Sequence, residues 1–108
     1  MPHYLIQVAY NTRGLAALVK EPQDRIEKVR PAIEAIGGRI ESAYYAFGEY
    51  DIVLVCEMPD NAAAAAFALA VGAGGTVSDY TTTVLLTPGE AMQAMTAAAE
   101  SVYQPAAG

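Results

Sequence analysis

The chain contains no tryptophan, one histidine, one cysteine and only six lysines and arginines among its 108 residues. Each shortage removes a class of function. A single cysteine, Cys56, excludes an intrachain disulfide and suits a reducing cytoplasm, which is the expected location. Set in an apolar strand, Cys56 reads as a packing thiol rather than a nucleophile. With His3 as the sole histidine, a Ser-His-Asp triad would have to use a residue beside the chain start, and no Gly-x-Ser-x-Gly elbow is present. No second His, Cys or carboxylate stands at ligand spacing, so neither a metal site within one chain nor a cofactor is expected. The net charge of −6, without a basic cluster, argues against nucleic acid as a partner. The longest uncharged apolar stretch, Ala62 to Gly75, is shorter than the roughly 20 residues that span a bilayer, so no membrane role is expected. The opening Met-Pro-His-Tyr-Leu-Ile-Gln-Val lacks the basic start and small-residue cleavage site of a signal peptide.

What is present is apolar. Hydrophobic residues make up 54% of the chain and charged ones 17%, too greasy a balance for disorder. The length suits one domain, placed at residues 1–104 with a frayed tail at 105–108. So small a domain cannot easily bury this much apolar surface by itself, and association with a second copy is the expected remedy.

Alternation places a first strand at His3 to Tyr10, with Tyr4, Ile6, Val8 and Tyr10 on one face and His3, Leu5, Gln7 and Ala9 on the other. A short helix follows over Gly14 to Lys20, capped by Asn11 or Thr12, with Leu15, Leu18 and Val19 as its buried stripe. Pro22 suits the first turn of the next helix. There Ile26, Val29, Ile33 and Ile36 recur at helical spacing, Pro31 predicts a kink, and Gly37-Gly38 ends the run. Arg39 to Phe47 and Tyr50 to Glu57 read as a hairpin turning at Gly48-Glu49. Its register sets Phe47 opposite Tyr50, Tyr45 opposite Ile52, and Ala43 opposite Leu54. Ile40, Ser42, Tyr44, Val53 and Val55 fall on the other face. Asp60 caps an alanine-rich helix anchored by Phe67, Leu69 and Val71 and closed by Gly72, Gly74 and Gly75. Val77 to Leu86 is a fourth strand rich in hydroxyls. Thr87-Pro88-Gly89-Glu90 is a capping box that starts a last helix with a Met92, Met95, Ala99, Val102 stripe.

Strand, helix, strand, strand, helix, strand defines an α+β, ferredoxin-like βαββαβ domain, here with a four-stranded antiparallel sheet and an added C-terminal helix. Helices cover one sheet face. The other would carry large apolar side chains in the open, and a second copy is the economical cover.

The Gly-Glu-Tyr-Asp turn, with Gly48, Tyr50 and Asp51, leads into the apolar strand Ile-Val-Leu-Val. Together with the early strand, the Gly14 helix start, the Arg25-Ile26-Glu27 helix ending in Gly37-Gly38 and the alanine-rich helix ending in glycines, this order resembles the GYD domain family over about residues 2 to 90. The resemblance implies a dimeric α+β barrel, in which two sheets pack face to face. It carries across no catalytic residue, because the family has no established activity, and the helix after Thr87 lies beyond it.

Five residues are candidates for ligand contact. Tyr50 and Asp51 would line a pocket at the sheet end, phenol donating and carboxylate accepting. In the competing structural reading Asp51 bonds backbone donors around the turn while Tyr50 packs on Phe47. His3 is a strand residue with a satisfied ring or a general base. Ser78, Tyr80 and Thr82 share one face of the fourth strand, and with Tyr4, Gln7, Tyr44 or Tyr45 would line a polar pocket between sheet and helices, unless this strand is simply a wet edge. Tyr45 and Tyr80 are the tyrosines retained as candidates. Gly72-Ala-Gly-Gly follows a helix and precedes a strand, the reverse of a phosphate-binding loop. The functional expectation is a small oligomeric module that binds a small molecule or serves as a scaffold. The alternative is a cofactor-independent enzyme, oxygenase- or isomerase-like, which rests on fold analogy.

Overall fold

A computed structural model of the protein describes residues 1–107. The elements are β1 (His3–Tyr10), α1 (Thr12–Lys20), α2 (Arg25–Ala35), β2 (Arg39–Tyr45), β3 (Ile52–Glu57), α3 (Asn61–Ala73), β4 (Val77–Leu85) and α4 (Pro88–Ala99). The four strands form one sheet in the order β2-β3-β1-β4, and every neighbouring pair is antiparallel. This is the ferredoxin-like arrangement, with the short α1 and the final α4 added.

Side chains alternate across β1 as the period of two requires. Tyr4, Ile6 and Val8 are buried towards the helices with Ile52, Leu54 and Cys56 of β3, while Ile26 and Ile33 of α2 and Ala64 and Phe67 of α3 close over them. The opposite face holds Leu5, Val53, Val55 and Leu85, all half-buried, with Gln7, Thr81, Thr83 and the exposed Tyr44 around them. Among the described residues no helix covers that second face to the depth of the first.

Caps fix the helix positions. Asp24 accepts from the amides of Ile26 and Glu27 at the start of α2. At its end Gly37 takes a φ of 86°, which only glycine adopts without strain, and the amides of Gly37 and Gly38 bond back to the carbonyls of Glu34 and Ile33. Asp60 caps α3, and Thr87 with Glu90 forms the complete capping box of α4.

Several local expectations are corrected. Pro22 lies before α2 rather than within its first turn, because Asp24 sets the helix start at Arg25. Leu15 and Val19 are exposed: α1 rests on the body through Gly14, whose Cα faces the Thr76 carbonyl so closely that a Cβ would lie 2.4 Å from it. Leu69 is exposed too, leaving Phe67 as the main anchor of α3. The hairpin strands stop at Tyr45 and Ile52, so Phe47 is fully exposed and does not face Tyr50 across a ladder. The register shifts between Ile40 and Ser42, and this bulge turns Ile40 into the helix-side core instead of the opposite face. Tyr45 opposite Ile52 and Ala43 opposite Leu54 stand as the spacing predicts.

The α4 helix has no buried residue, and Met92 and Met95 face outward. It stands off the body: the radius of gyration is 17.3 Å, against about 13 Å for a compact chain of this length. Beyond it residues 100–107 are exposed, and Gly108, the last residue of the expected tail, lies outside the described residues.

Candidate functional site

Two helices laid on one sheet face leave a gap where their side chains are small. Between α2 and α3 this gap is a pocket of about 270 Å³. Val8, Ile52 and Leu54 form its floor, Val29 and Ala32 one wall, and Phe67, Ala70 and Val71 the other. Its alanines explain why the helices do not close over the sheet at this point. Tyr10, Arg25 and Thr76 stand at one end, where β1 finishes and both α2 and β4 begin. Arg25 is the only charged residue of the lining, and its Nη1 donates to Gln23 Oε1 at 3.2 Å. Among the described residues Arg25 makes no ion pair. Burial pushes the Tyr10 phenol up, and the nearby Arg25 guanidinium opposes that shift. Tyr10, Arg25 and Thr76 also border a second recess of about 230 Å³ beneath α1. The combination suits a compact apolar group whose anionic or hydrogen-bonding end meets Arg25.

The hairpin holds this mouth in place. Asp51 Oδ2 accepts from the Tyr10 amide at 2.8 Å, while the Asp51 amide donates to the Val8 carbonyl at 2.8 Å. The Ala46 amide donates to the Asp51 carbonyl at 2.9 Å. These bonds fall where the β1–β4 register shifts, between Ala9 and Tyr10, so the carboxylate serves an amide at an irregular point of the ladder. Asp51 therefore bonds a backbone donor as the structural reading proposed, though on β1 rather than in its own turn. Tyr45 works one step further along. Its hydroxyl donates to Asp24 Oδ1 at 2.9 Å and accepts from the Arg25 amide at 2.7 Å, pinning the first turn of α2. Asp51 and Tyr45 thus position Tyr10 and Arg25 without lining the pocket themselves.

The remaining candidates lie elsewhere. Tyr50 donates to Asp79 Oδ2 at 3.4 Å. Tyr80 packs its ring against Phe67, with centroids 6.3 Å apart, and its hydroxyl is buried without a hydrogen-bond partner. Burial drives that phenol far above its usual range. Tyr4 does not join it, since its hydroxyl donates to Asn61 Oδ1 at 2.6 Å, and Gln7 and Tyr44 occupy the opposite sheet face. His3 is on that opposite face as well, with Nδ1 2.9 Å from Glu41 Oε1 and 3.9 Å from Glu57 Oε1. Arg39, bonded to Glu57 at 2.9 Å, holds the Glu57 carboxyl below the usual range. Cys56 is fully buried, and burial pushes its thiol up to about 11, which keeps it protonated and unreactive.

Sequence reasoning passed over Arg25 and Tyr10. The available signal was positional: Tyr10 ends the first strand on its buried face, and Arg25 immediately precedes Ile26, the first apolar anchor of α2.

A pocket between the helices and sheet of a ferredoxin-like α+β domain defines the structural class. The model of the GYD domain matches residues 4–95, reaching into α4, and the chain belongs to the GYD domain family. No curated protein matches it in sequence. A solved structure described as the crystal structure of FFRP-DM1 is similar in fold, with a TM-score of 0.49 at 14% identity, covering 80% of this chain and 100% of that one. No helix is long and apolar enough to cross a membrane among the described residues.

Two substitutions probe the positioning bonds. Asp51→Ala leaves the Tyr10 amide without its charged acceptor, and urea unfolding is expected to show a loss of about 1–3 kcal/mol. For Tyr45→Phe the effect depends on pH. The Tyr45 hydroxyl is the main cause holding the Asp24 carboxyl below the ordinary value of 3.8. A carboxyl depressed in the folded state adds stability above its unfolded value and loses it as pH falls through the folded value. The melting temperature of Tyr45→Phe should therefore lie below wild type near neutral pH, with the gap narrowing once pH drops under 3.8.

Proposed function

We propose that the protein is a cytoplasmic, homodimeric small-molecule-binding module. Its ligand is a compact apolar carboxylate held in the pocket between α2, α3 and the sheet. The observation that carries this reading is an apolar chamber with a single cation, Arg25, at its polar end. An apolar body filling the chamber gains from desolvation, and its carboxylate gains a charge-assisted bond from a guanidinium that no carboxylate among the described residues engages. The free, buried Cys56 suits a reducing compartment. A second copy on the open sheet face would cover Leu5, Val53, Val55 and Leu85, consistent with the chain's apolar excess. The enzymatic alternative needs an acid–base group at the chamber, and Tyr10 and Arg25 are the only titratable residues in its lining.

Thermal-shift titration with benzoate and hexanoate, each beside its uncharged amide, tests the reading. Both carboxylates are expected to raise the melting temperature more than their amides, and Arg25→Gln should weaken carboxylate binding about tenfold or more. Absence of any shift, or equal affinity in Arg25→Gln, would contradict the assignment.

A further inference from the structure

On the open face of the sheet three metal-ligating side chains from three different strands meet at one point. His3 and Glu57 are directly opposite across the β1–β3 ladder. Glu41 joins them because the bulge between Ile40 and Ser42 adds one residue to β2 there. The three contribute one nitrogen and two carboxylate oxygens, all within 4.8 Å of one another. Donors about 2.1 Å from a common ion sit about 3.0–3.4 Å apart at octahedral to tetrahedral angles. The observed separations of 2.9 Å from His3 Nδ1 to Glu41 and 3.9 Å to Glu57 bracket that range. A recess of about 220 Å³ bordered by His3, Glu41 and Leu85 adjoins the cluster.

We propose that His3, Glu41 and Glu57 form a binding site for a first-row divalent cation such as Zn²⁺ or Mn²⁺. One imidazole favours these ions over Mg²⁺, and two carboxylates match the charge of the ion. Arg39 marks the same demand for positive charge: its Nη2 lies 2.9 Å from Glu57 Oε1 and 3.8 Å from Glu41 Oε1, against both carboxylates at once. Its side chain is 60% exposed, and an ion pair so open to water holds it only weakly. Arg39 is then a competitor that an incoming ion displaces. All three ligands come from one chain, and the site lies on the sheet face opposite the apolar pocket, so it does not rest on the carboxylate-binding reading.

Calorimetric titration of the full chain with ZnCl₂, MnCl₂ and MgCl₂ tests the site, with folding of each variant checked by circular dichroism. One saturable Zn²⁺ or Mn²⁺ ion per chain is expected, with weaker Mg²⁺ binding. His3→Gln and Glu57→Gln should each weaken it about tenfold or more, and Glu41→Gln replaces either variant that fails to fold. Arg39→Gln should tighten binding, an outcome that a purely structural ion-pair cluster would not give. No saturable binding in the wild type, affinity unchanged in the His3 and Glu57 variants, or weaker binding in Arg39→Gln would overturn the proposal.

Discussion

The inner strand β1 pairs with β3 on one side and β4 on the other, and its alternation divides the molecule in two. Tyr4, Ile6 and Val8 bind the helices to the sheet, and Ile6, Ile33 and Cys56 at the centre are fully excluded from water. Full burial of each large aliphatic side chain contributes about 1.5–3 kcal/mol. A polar replacement at Ile6 would therefore remove packing from both helices and both flanking strands. The intervening residues His3, Leu5 and Gln7 belong to the other face, where no helix seals them. One period-two pattern thus creates a sealed side with a small pocket and an open side with an ion cluster.

The hairpin after β2 gives the Gly-Glu-Tyr-Asp turn a physical role. Asp51 reaches across to the Tyr10 amide and Tyr45 reaches to the α2 cap, so one loop and its strand end tie together β1, α2 and the pocket mouth. The bonds are local, yet they fix the separation of Tyr10 and Arg25, the two groups that would read the polar end of a ligand. Alanines at positions 32 and 70 keep the chamber open between them, because a larger side chain at either would fill it.

Much of the architecture was legible in the sequence because period and punctuation agree. The β1 strand, the Ile26–Ile33 stripe, the Gly37-Gly38 stop and the Thr87 capping box all appear where spacing places them. What escaped depends on long-range geometry. The bulge that turns Ile40 inward adds a residue that strict alternation does not anticipate. The exposure of Leu15, Val19 and Leu69 could not be read from helical spacing, since it depends on what lies alongside each helix. The His3, Glu41 and Glu57 cluster joins residues far apart in sequence and becomes visible only once the strand order is known. Of the candidate residues, Tyr45 and Asp51 proved to act through the backbone of the pocket mouth, a role that no side-chain motif announces.

If this chain's own helices seal only one sheet face, as we propose, a second copy takes the other. Sedimentation equilibrium of the wild type beside Val55→Asp tests it most directly, since Val55 lies half-buried in the middle of the open face. The expected result is a wild-type mass twice the chain's 11.3 kDa, falling to 11.3 kDa in a Val55→Asp variant that keeps its native circular dichroism. A wild-type mass of 11.3 kDa, or a variant that still sediments as the dimer, would contradict it.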